Sequence, residues 1–292
     1  MALLESPIAW QGMDDAVVAV DRLLAMEGPL WMYTVFAALV MAAMELLAAL
    51  VPLIGTLTLA IQGRKGSPGI AVRGKHLDAF GATDYAFMAF NRLTTPLFTF
   101  HALQYLWLSP HILRSARDAT ALSTAAALLA LFVVYDLTYC LFHRALHHRS
   151  VYRHVHKHHH RQMAPSRGNT DAVNVHPFEY LPGEYNHLFA IWVVSRLMPL
   201  HAATALFFIV SGGVLASLNH TRLDIKSPLL TTVYQVKYHD IHHWDPSVNF
   251  GQYTMLWDHV FRSFRAYPGE GGKEAAWAKV RPPPTQSTDS KD

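Results

Sequence analysis

The sequence predicts an all-α integral-membrane protein, a helical bundle that is rich in His. Of its 292 residues, 51% are hydrophobic and only 15% are charged, whereas soluble domains carry about 25% charged residues. The mean hydropathy is +0.14. The chain also has 19 His, more than a fold requires, and imidazole is the commonest metal ligand in proteins.

The same counts exclude several classes of protein. A single cysteine, Cys140, can form neither an internal disulfide nor a Cys-based zinc finger. The net charge of +3 is too small to indicate a nucleic-acid partner. Residues 1–28 hold five acids and one Arg, so the basic start of a cleavable signal peptide is missing. We therefore expect the hydrophobic segments to remain in the mature protein.

A bilayer span needs about 20 mostly apolar residues. Residues 31–53 and 121–142 meet this requirement, with one acid in each. Residues 188–218 form a longer apolar stretch, interrupted by Pro199, and predict a helical hairpin. Residues 97–108 are too short to span, so we expect a half-helix or an interfacial segment there.

The chain divides into four predicted parts. They are an N-terminal segment (1–28), a membrane region (29–120), a catalytic domain (121–268) and a disordered tail (269–292) rich in Gly, Pro and charge. The segments 62–76 and 143–170 carry Lys and Arg without any acid. The positive-inside rule places both in the cytoplasm and the N-terminus outside. The composition favours a bacterial inner membrane.

Three His clusters lie in the second half of the chain. Their members are His143, His147 and His148; His156, His158, His159 and His160; and His239, His242 and His243. Offsets of three and four residues place side chains on one face of a helix. The second and third clusters share the pattern H-x-x-H-H, and this recurrence predicts metal ligands.

Eight in-phase imidazoles exceed the needs of one metal, since a zinc takes about four ligands. They suit two metals of higher coordination number, and imidazole accepts Fe, Zn, Cu and Ni alike. A contiguous His-rich storage tract is the alternative interpretation, but clusters some 80 residues apart do not resemble one. His154 and His158 are out of phase, and we predict that neither binds metal.

The order of motifs resembles the fatty acid hydroxylase superfamily, which includes sterol C5-desaturases, sterol C4-methyl oxidases and fatty acid 2-hydroxylases. The motifs are H-R-x-L-H-H from His143, H-K-x-H-H from His156, H-P-F-E from His176, N-H at Asn219, H-D-x-H-H from His239 and N-F-G-Q-Y-x-x-x-W-D from Asn249. The resemblance covers residues 120–268, about half of the chain. Its last motif is most similar to the sterol C5-desaturase branch.

The resemblance implies a membrane-embedded helical fold whose cytoplasmic cap holds two iron ions. Its implied ligands are His143, His147, His156, His159, His160, His220, His239, His242 and His243. The sequence departs from the family pattern at two positions. Asp224 stands where one branch has a further His, so either the site has one imidazole fewer, or a carboxylate or another His replaces it. Arg262 stands in place of a Gly, which disfavours the family's tight turn.

Five other residues are candidates for supporting roles. His148 and His176 are further candidate metal ligands, and Glu179 is a candidate partner for His176. Asp136 lies within a span, where an acid is functional by default, seven residues before His143. We expect it to accept the N–H of a ligand His, as carboxylates often do. Asp258 is a third candidate carboxylate beside the ligands.

Breaking an unactivated C–H bond of a lipid requires an oxidant made from O₂ at a reducible metal. The predicted function is therefore O₂-dependent hydroxylation or desaturation of a sterol, a fatty acyl chain or another membrane lipid. The chain carries no flavin, haem or iron–sulfur motif, so a ferredoxin- or cytochrome-type donor must supply electrons. A zinc-dependent membrane hydrolase and a metal transporter are the alternatives from other classes.

Overall fold

The computed structural model describes residues 7–61, 70, 72, 74–225 and 234–267, and is predominantly helical over them. The longer helices are α1 (Pro7–Leu24), α2 (Leu30–Ile61), α3 (Ala82–Leu108), α4 (Ala121–Leu146), α7 (Pro177–Leu197), α8 (Ala202–Asn219) and α9 (Val236–Trp244). The short ones are α5 (Arg149–Tyr152), α6 (Asn169–Ala172), α10 (Leu256–Val260) and single 3₁₀ turns at Ala116–Asp118 and His159–Arg161. The predicted all-α class is confirmed. The predicted disordered tail lies outside the described residues.

Three helices are long and apolar enough to cross a membrane: α2, α4 and α8. Large apolar side chains cover the outside of α2, where Leu39 is 65% exposed and Leu46 is 61% exposed. Such a surface is unfavourable in water and matches the hydrocarbon core of a bilayer. The protein is therefore a membrane protein.

Residues 97–108 belong to a longer element than predicted, because they form the second half of the 27-residue helix α3, which is not among the candidate spans of the described residues. The hydropathy pattern did not predict the first half of α3, because that half carries polar side chains that are buried against the rest of the protein. The Nδ2 amide of Asn91 donates to the carbonyls of Val173 (2.9 Å) and Val175 (2.8 Å). A polar residue that is satisfied in this way costs little inside a bundle, so tertiary contacts set the length of α3.

The predicted hairpin is present as α7 and α8, although α7 begins earlier than expected, at Pro177. The hairpin turn carries β2 (Leu200–His201), which pairs in parallel with β1 (Ile112–Leu113) of the α3–α4 connection. The side chain of His201 caps α8 by accepting the N–H of Ala203 (3.1 Å). The hairpin returns the chain, so the first turn of α7 and the last turn of α8 lie at the same end.

The core joins the helices that carry the His clusters. Leu131 and Tyr135 of α4, Ile191 of α7 and Phe208 of α8 are at most 2% exposed. Interiors of this kind are close-packed and resist displacement. The core therefore fixes the ends of α4 and α8, which bear His143 and His220.

Candidate metal centre

The nine predicted ligand His side chains converge into two groups. The five-His group consists of His143, His147, His156, His160 and His242. The four-His group consists of His159, His220, His239 and His243. Within each group, one nitrogen per residue lies within 4.8 Å of all the others. Eight of the nine side chains are buried, and His147 is half-buried.

Spacing within the five-His group suits a single metal ion. Successive Nε2 atoms are 3.0 Å (His143–His156), 3.0 Å (His156–His160), 3.2 Å (His160–His242) and 3.3 Å (His242–His147) apart. Two nitrogens bound at right angles to one metal, each at about 2.1 Å, lie about 3.0 Å apart. The observed separations are those of ligands around one ion.

The four-His group has the same kind of spacing. The Nε2 of His239 lies 3.0 Å from that of His243 and 3.3 Å from that of His220. The Nε2 of His220 lies 3.5 Å from that of His159. The two groups are adjacent, since the ring centroids of His160 and His243 are 5.1 Å apart. The cap therefore offers two neighbouring sites.

Each site takes pairs of His that are four residues apart. His143 with His147, and His156 with His160, belong to the five-His group, whereas His239 with His243 belong to the four-His group. Residues at i and i+4 stack on one helical face, whereas adjacent residues differ by about 100° in direction. For this reason His159 and His242, each adjacent to a paired His, point to the other group.

Backbone carbonyls fix the tautomers of several ligands. Nδ1 of His143 donates to the carbonyl of Phe250 (2.9 Å), and Nδ1 of His242 donates to that of Val248 (2.7 Å). In the four-His group, the acceptors are the carbonyls of Ala216 for His220 (2.8 Å) and of Gln162 for His243 (2.9 Å). A carbonyl only accepts, so we assign the proton to Nδ1 and the lone pair to Nε2. Converging lone pairs repel one another unless a cation lies between them.

Burial also keeps these imidazoles neutral. Desolvation lowers the pKa of His156 and that of His242 to about 3. Burial and the neighbouring imidazoles lower the pKa of His239 and that of His243 well below the ordinary value. Metal ligation needs neutral imidazole, so these ligands are ready to bind a cation at neutral pH.

Asp136 takes a different position from the one expected. Its carboxylate accepts the backbone N–H groups of Tyr253 (3.0 Å) and Thr254 (2.6 Å), and the acceptor for His143 is the Phe250 carbonyl. Asp136 therefore holds the loop 250–254 on α4. It supports His143 through that loop and not by direct contact.

Asp258 holds the other part of the same loop. Its carboxylate accepts the N–H groups of Phe250 (2.9 Å) and Gly251 (2.7 Å) and the hydroxyl of Ser263 (2.6 Å). The expected disruption at Arg262 is absent, because this residue adopts a positive φ of 58° and the turn closes. Left-handed backbone at a non-glycine residue costs roughly 1–2 kcal/mol, and the hydrogen bonds around Asp258 offset it.

Glu179 reaches a candidate ligand directly. Its Oε2 lies 2.8 Å from Nδ1 of His156, the usual place for a carboxylate that orients a metal-bound His. The partner expected for Glu179 was His176, which instead caps α7 by accepting the N–H of Phe178 (3.1 Å). Glu179 therefore contacts the five-His group, through His156.

The remaining candidates lie outside both groups. His148 is exposed and caps α5, and His154 is exposed and accepts a hydrogen bond from Arg153. His158 contacts Asp84. Asp224 lies 3.2 Å from Lys237 and is not a member of the four-His group. The two groups form without a carboxylate ligand.

A cavity of about 470 Å³ extends from the four-His group into the bundle. His159, His220 and His239 line one end, whereas Leu206 of α8 and Val40 of α2 line more distant parts. The 14 residues from Leu206 to His220 correspond to about 21 Å of helix. The lining is mainly apolar, and the volume is typical of ligand sites. The cavity therefore has the size and character of a lipid site.

Two parts of this site were not predicted from the sequence. The acceptors for four ligand His are backbone carbonyls, which leave no residue-type signal in a sequence. Thr95, Tyr180 and Glu184, three of the polar side chains that line the cavity, belong to no motif of the sequence. The signal for Glu184 is an acid in the otherwise apolar α7.

The comparisons agree with the geometry. Residues 128–263 match the family model described as fatty acid hydroxylase. No curated protein and no solved structure matches the chain. The matched range contains the nine converging His, Asp136, Glu179 and Asp258. Residues 128–263 are therefore a fatty acid hydroxylase domain, of the sterol desaturase-like superfamily.

Proposed function

We propose that this protein is an O₂-dependent di-iron membrane oxidoreductase that hydroxylates or desaturates a C–H bond of a lipid. The observation that carries the proposal is a pair of adjacent all-His groups at the end of an apolar cavity. The nine His would hold two iron ions, which would activate O₂ as the oxidant, a chemistry that no amino-acid side chain supplies. The residues of the chain position the ions and the lipid.

The chain's own residues have three tasks in this proposal. The imidazoles supply Nε2 lone pairs, carbonyls hold the Nδ1 protons of His143 and His242, and the Glu179 carboxyl group lies beside Nδ1 of His156. The cavity walls exclude water and hold an apolar chain beside the four-His group. α2 and α8, whose residues line the cavity, are both candidate spans, so a lipid would enter sideways from the bilayer.

Electrons would come from a ferredoxin- or cytochrome-type protein. The sequence has one Cys and no motif for a redox cofactor of its own besides the His groups. Arg149, Arg153 and Lys157 are exposed on the loop that follows α4. This basic surface complements an acidic donor. Anionic headgroups of the inner leaflet would also be attracted to it.

Metal analysis and lipid analysis together test the proposal. Purified protein should contain about two irons per chain, one for each His group. Lipids from cells with the protein should include a product that is heavier by one oxygen atom or lighter by two hydrogens. Mainly zinc with hydrolysed lipid would favour the hydrolase, and variable loading without any lipid product would favour the transporter.

The cytoplasmic orientation is a separate part of the proposal. We expect Cys probes at Ser150 and Ser247, both exposed, to be labelled from the cytoplasm. A probe at Ser115, exposed between α3 and α4, should be labelled from the other side. A Cys140→Ala background removes the one native thiol. Labelling of all three probes from the same side would contradict this topology.

A further inference from the structure

Three polar side chains form a compact group in the wall of the apolar cavity. The Thr95 hydroxyl lies 2.6 Å from Oε1 of Glu184 and 2.8 Å from the hydroxyl of Tyr180. All three residues line the cavity. We call them the polar triad. They join α3 to α7, and a polar group in this position is costly unless a partner satisfies it.

The hydrogen bonds of the polar triad are incomplete. Thr95 has one proton, and its hydroxyl lies within bonding distance of both Glu184 and the carbonyl of Asn91. Among the described residues, Oε2 of Glu184 is buried and has no hydrogen-bond partner. Native structures leave few buried polar atoms unpaired. A ligand in the cavity is the missing partner that this arrangement indicates.

There is room for such a ligand beside the triad. Gly183 precedes Glu184 and also lines the cavity. A Cβ built on Gly183 meets no atom within 4 Å. The neighbouring polar side chain, His187, is already bonded to the Tyr253 hydroxyl (3.0 Å) and the Glu184 carbonyl (3.1 Å). Glu184 is therefore a carboxylate that lies next to open space in the cavity.

The position of the triad relative to the metal centre follows from α7. Glu179 marks the metal end of the cavity, since its Oε2 lies 2.8 Å from His156. Glu184 is five residues further along the same helix, which corresponds to about 7.5 Å of rise. A group bound by Glu184 would therefore lie several bonds away from a carbon at the metal centre.

We propose that the polar triad binds a hydroxyl group of the lipid substrate, with Glu184 as the specificity-determining residue. A hydroxyl both donates and accepts, so it satisfies Oε2 whether or not Glu184 carries a proton. The substrate is then a lipid alcohol whose hydroxyl is separated by several bonds from the carbon that is oxidised. The inference rests on the proposed function for the oxidation step, but binding of the hydroxyl does not depend on it.

The test compares two uncharged lipids that differ only in the hydroxyl. Deuterated octadecan-7-ol and octadecane are added in equal amounts to the iron-loaded protein in detergent, without reductant, and the retained lipids are measured by mass spectrometry. Relative to empty micelles, the wild type should retain the alcohol about tenfold better, as one buried hydrogen bond predicts. Equal retention by the wild type would overturn the proposal without any variant.

Variants locate the preference. Glu184→Ala and Thr95→Val should each reduce the alcohol preference to below threefold, whereas Glu184→Gln, which still donates and accepts, should retain most of it. Met44 lines the apolar part of the cavity, so Met44→Ala should weaken binding of both lipids equally. A preference that persists in Glu184→Ala and in Thr95→Val would contradict the assignment.

This outcome is separable from that of the proposed function. Selective binding of the alcohol without any oxidised product would leave the triad assignment standing and refute the oxidoreductase. Oxidised lipids formed with no preference for the alcohol would do the reverse. If Glu184→Ala fails to fold in gel filtration, Thr95→Val, which keeps the side-chain shape, together with the wild-type comparison, still decides the question.

Discussion

The two His groups share one type of ligand but differ in their surroundings. The five-His group is held by the loop 250–254 through the Phe250 carbonyl and by the carboxylate of Glu179. The four-His group contributes three of its members to the cavity wall. With fewer ligands, it also leaves more coordination positions open, as catalytic sites require. The difference indicates one site that is supported by neighbouring groups and one site that faces the cavity.

The surroundings differ although the two groups share α9 and the segment 156–160, because their remaining ligands lie on different helices. α4, which carries Asp136 and His143, packs against the rigid core and positions the five-His group. The end of α8 and the start of α9 carry His220 and His239 of the four-His group. A site beside a cavity needs an open side, whereas the neighbouring site can be enclosed.

The largest effect is expected from removing a ligand of either group. His156→Ala in the five-His group and His243→Ala in the four-His group should each abolish turnover and lower the iron content by about one ion per chain. Metal analysis and lipid turnover check this. The matched control is His154→Ala, an exposed His outside both groups, which should behave as the wild type. Retained activity in both ligand variants would contradict the two-site assignment.

The next largest effect is expected at Glu179. Glu179→Gln replaces the carboxyl group beside Nδ1 of His156 with an amide, and losing such a partner typically costs 10–100-fold in metal affinity. Competition with a chelator should show the weakening at one of the two metals only. The control is Glu45→Gln, because Glu45 pairs with Arg92 at 3.4 Å. Equal weakening of both metals would show that the two groups do not differ as described.

The open side of the four-His group can be tested through Gly183. Gly183→Leu fills open cavity space, and we expect kcat/KM for lipid to fall about tenfold, as for small changes in an apolar pocket. The iron content should not change, because Gly183 contacts neither group. Gly183→Ala serves as the control, with a much smaller effect. Loss of iron in Gly183→Leu would mean that the helix had moved.

The smallest effect is expected for Asp136→Asn. One carboxylate oxygen becomes an NH₂ group facing a backbone N–H of the loop 250–254, and an unsatisfied buried group costs about 1–3 kcal/mol. Thermal unfolding should show this loss of stability. Metal affinity should fall about three- to tenfold, less than for Glu179→Gln, because Asp136 acts through the loop. A larger loss of metal affinity than in Glu179→Gln would indicate that Asp136 contacts a ligand His directly.

The sequence by itself determined the class of the protein and the identity of the nine converging His. Apolar stretches of bilayer length are a property of the chain alone, and spacings of three and four residues follow from helix geometry. His154 and His158 were separable because they fall out of phase, whereas His148 stayed a candidate ligand until the structure placed it outside both groups. The sequence identified Asp136 and Asp258 as candidate supporting acids, but it did not predict their hydrogen-bond partners.

Only the tertiary structure decided how the nine His divide into two groups. Two His on one helical turn differ in direction by a fixed angle, but which metal each one faces depends on where the other segments pack. The same holds for the length of α3, for the carbonyls that orient His143 and His242, and for the polar triad in the cavity wall. Thr95 and Glu184 are 89 positions apart, and His143 and Phe250 are 107 positions apart, and local spacing carries no information about such contacts.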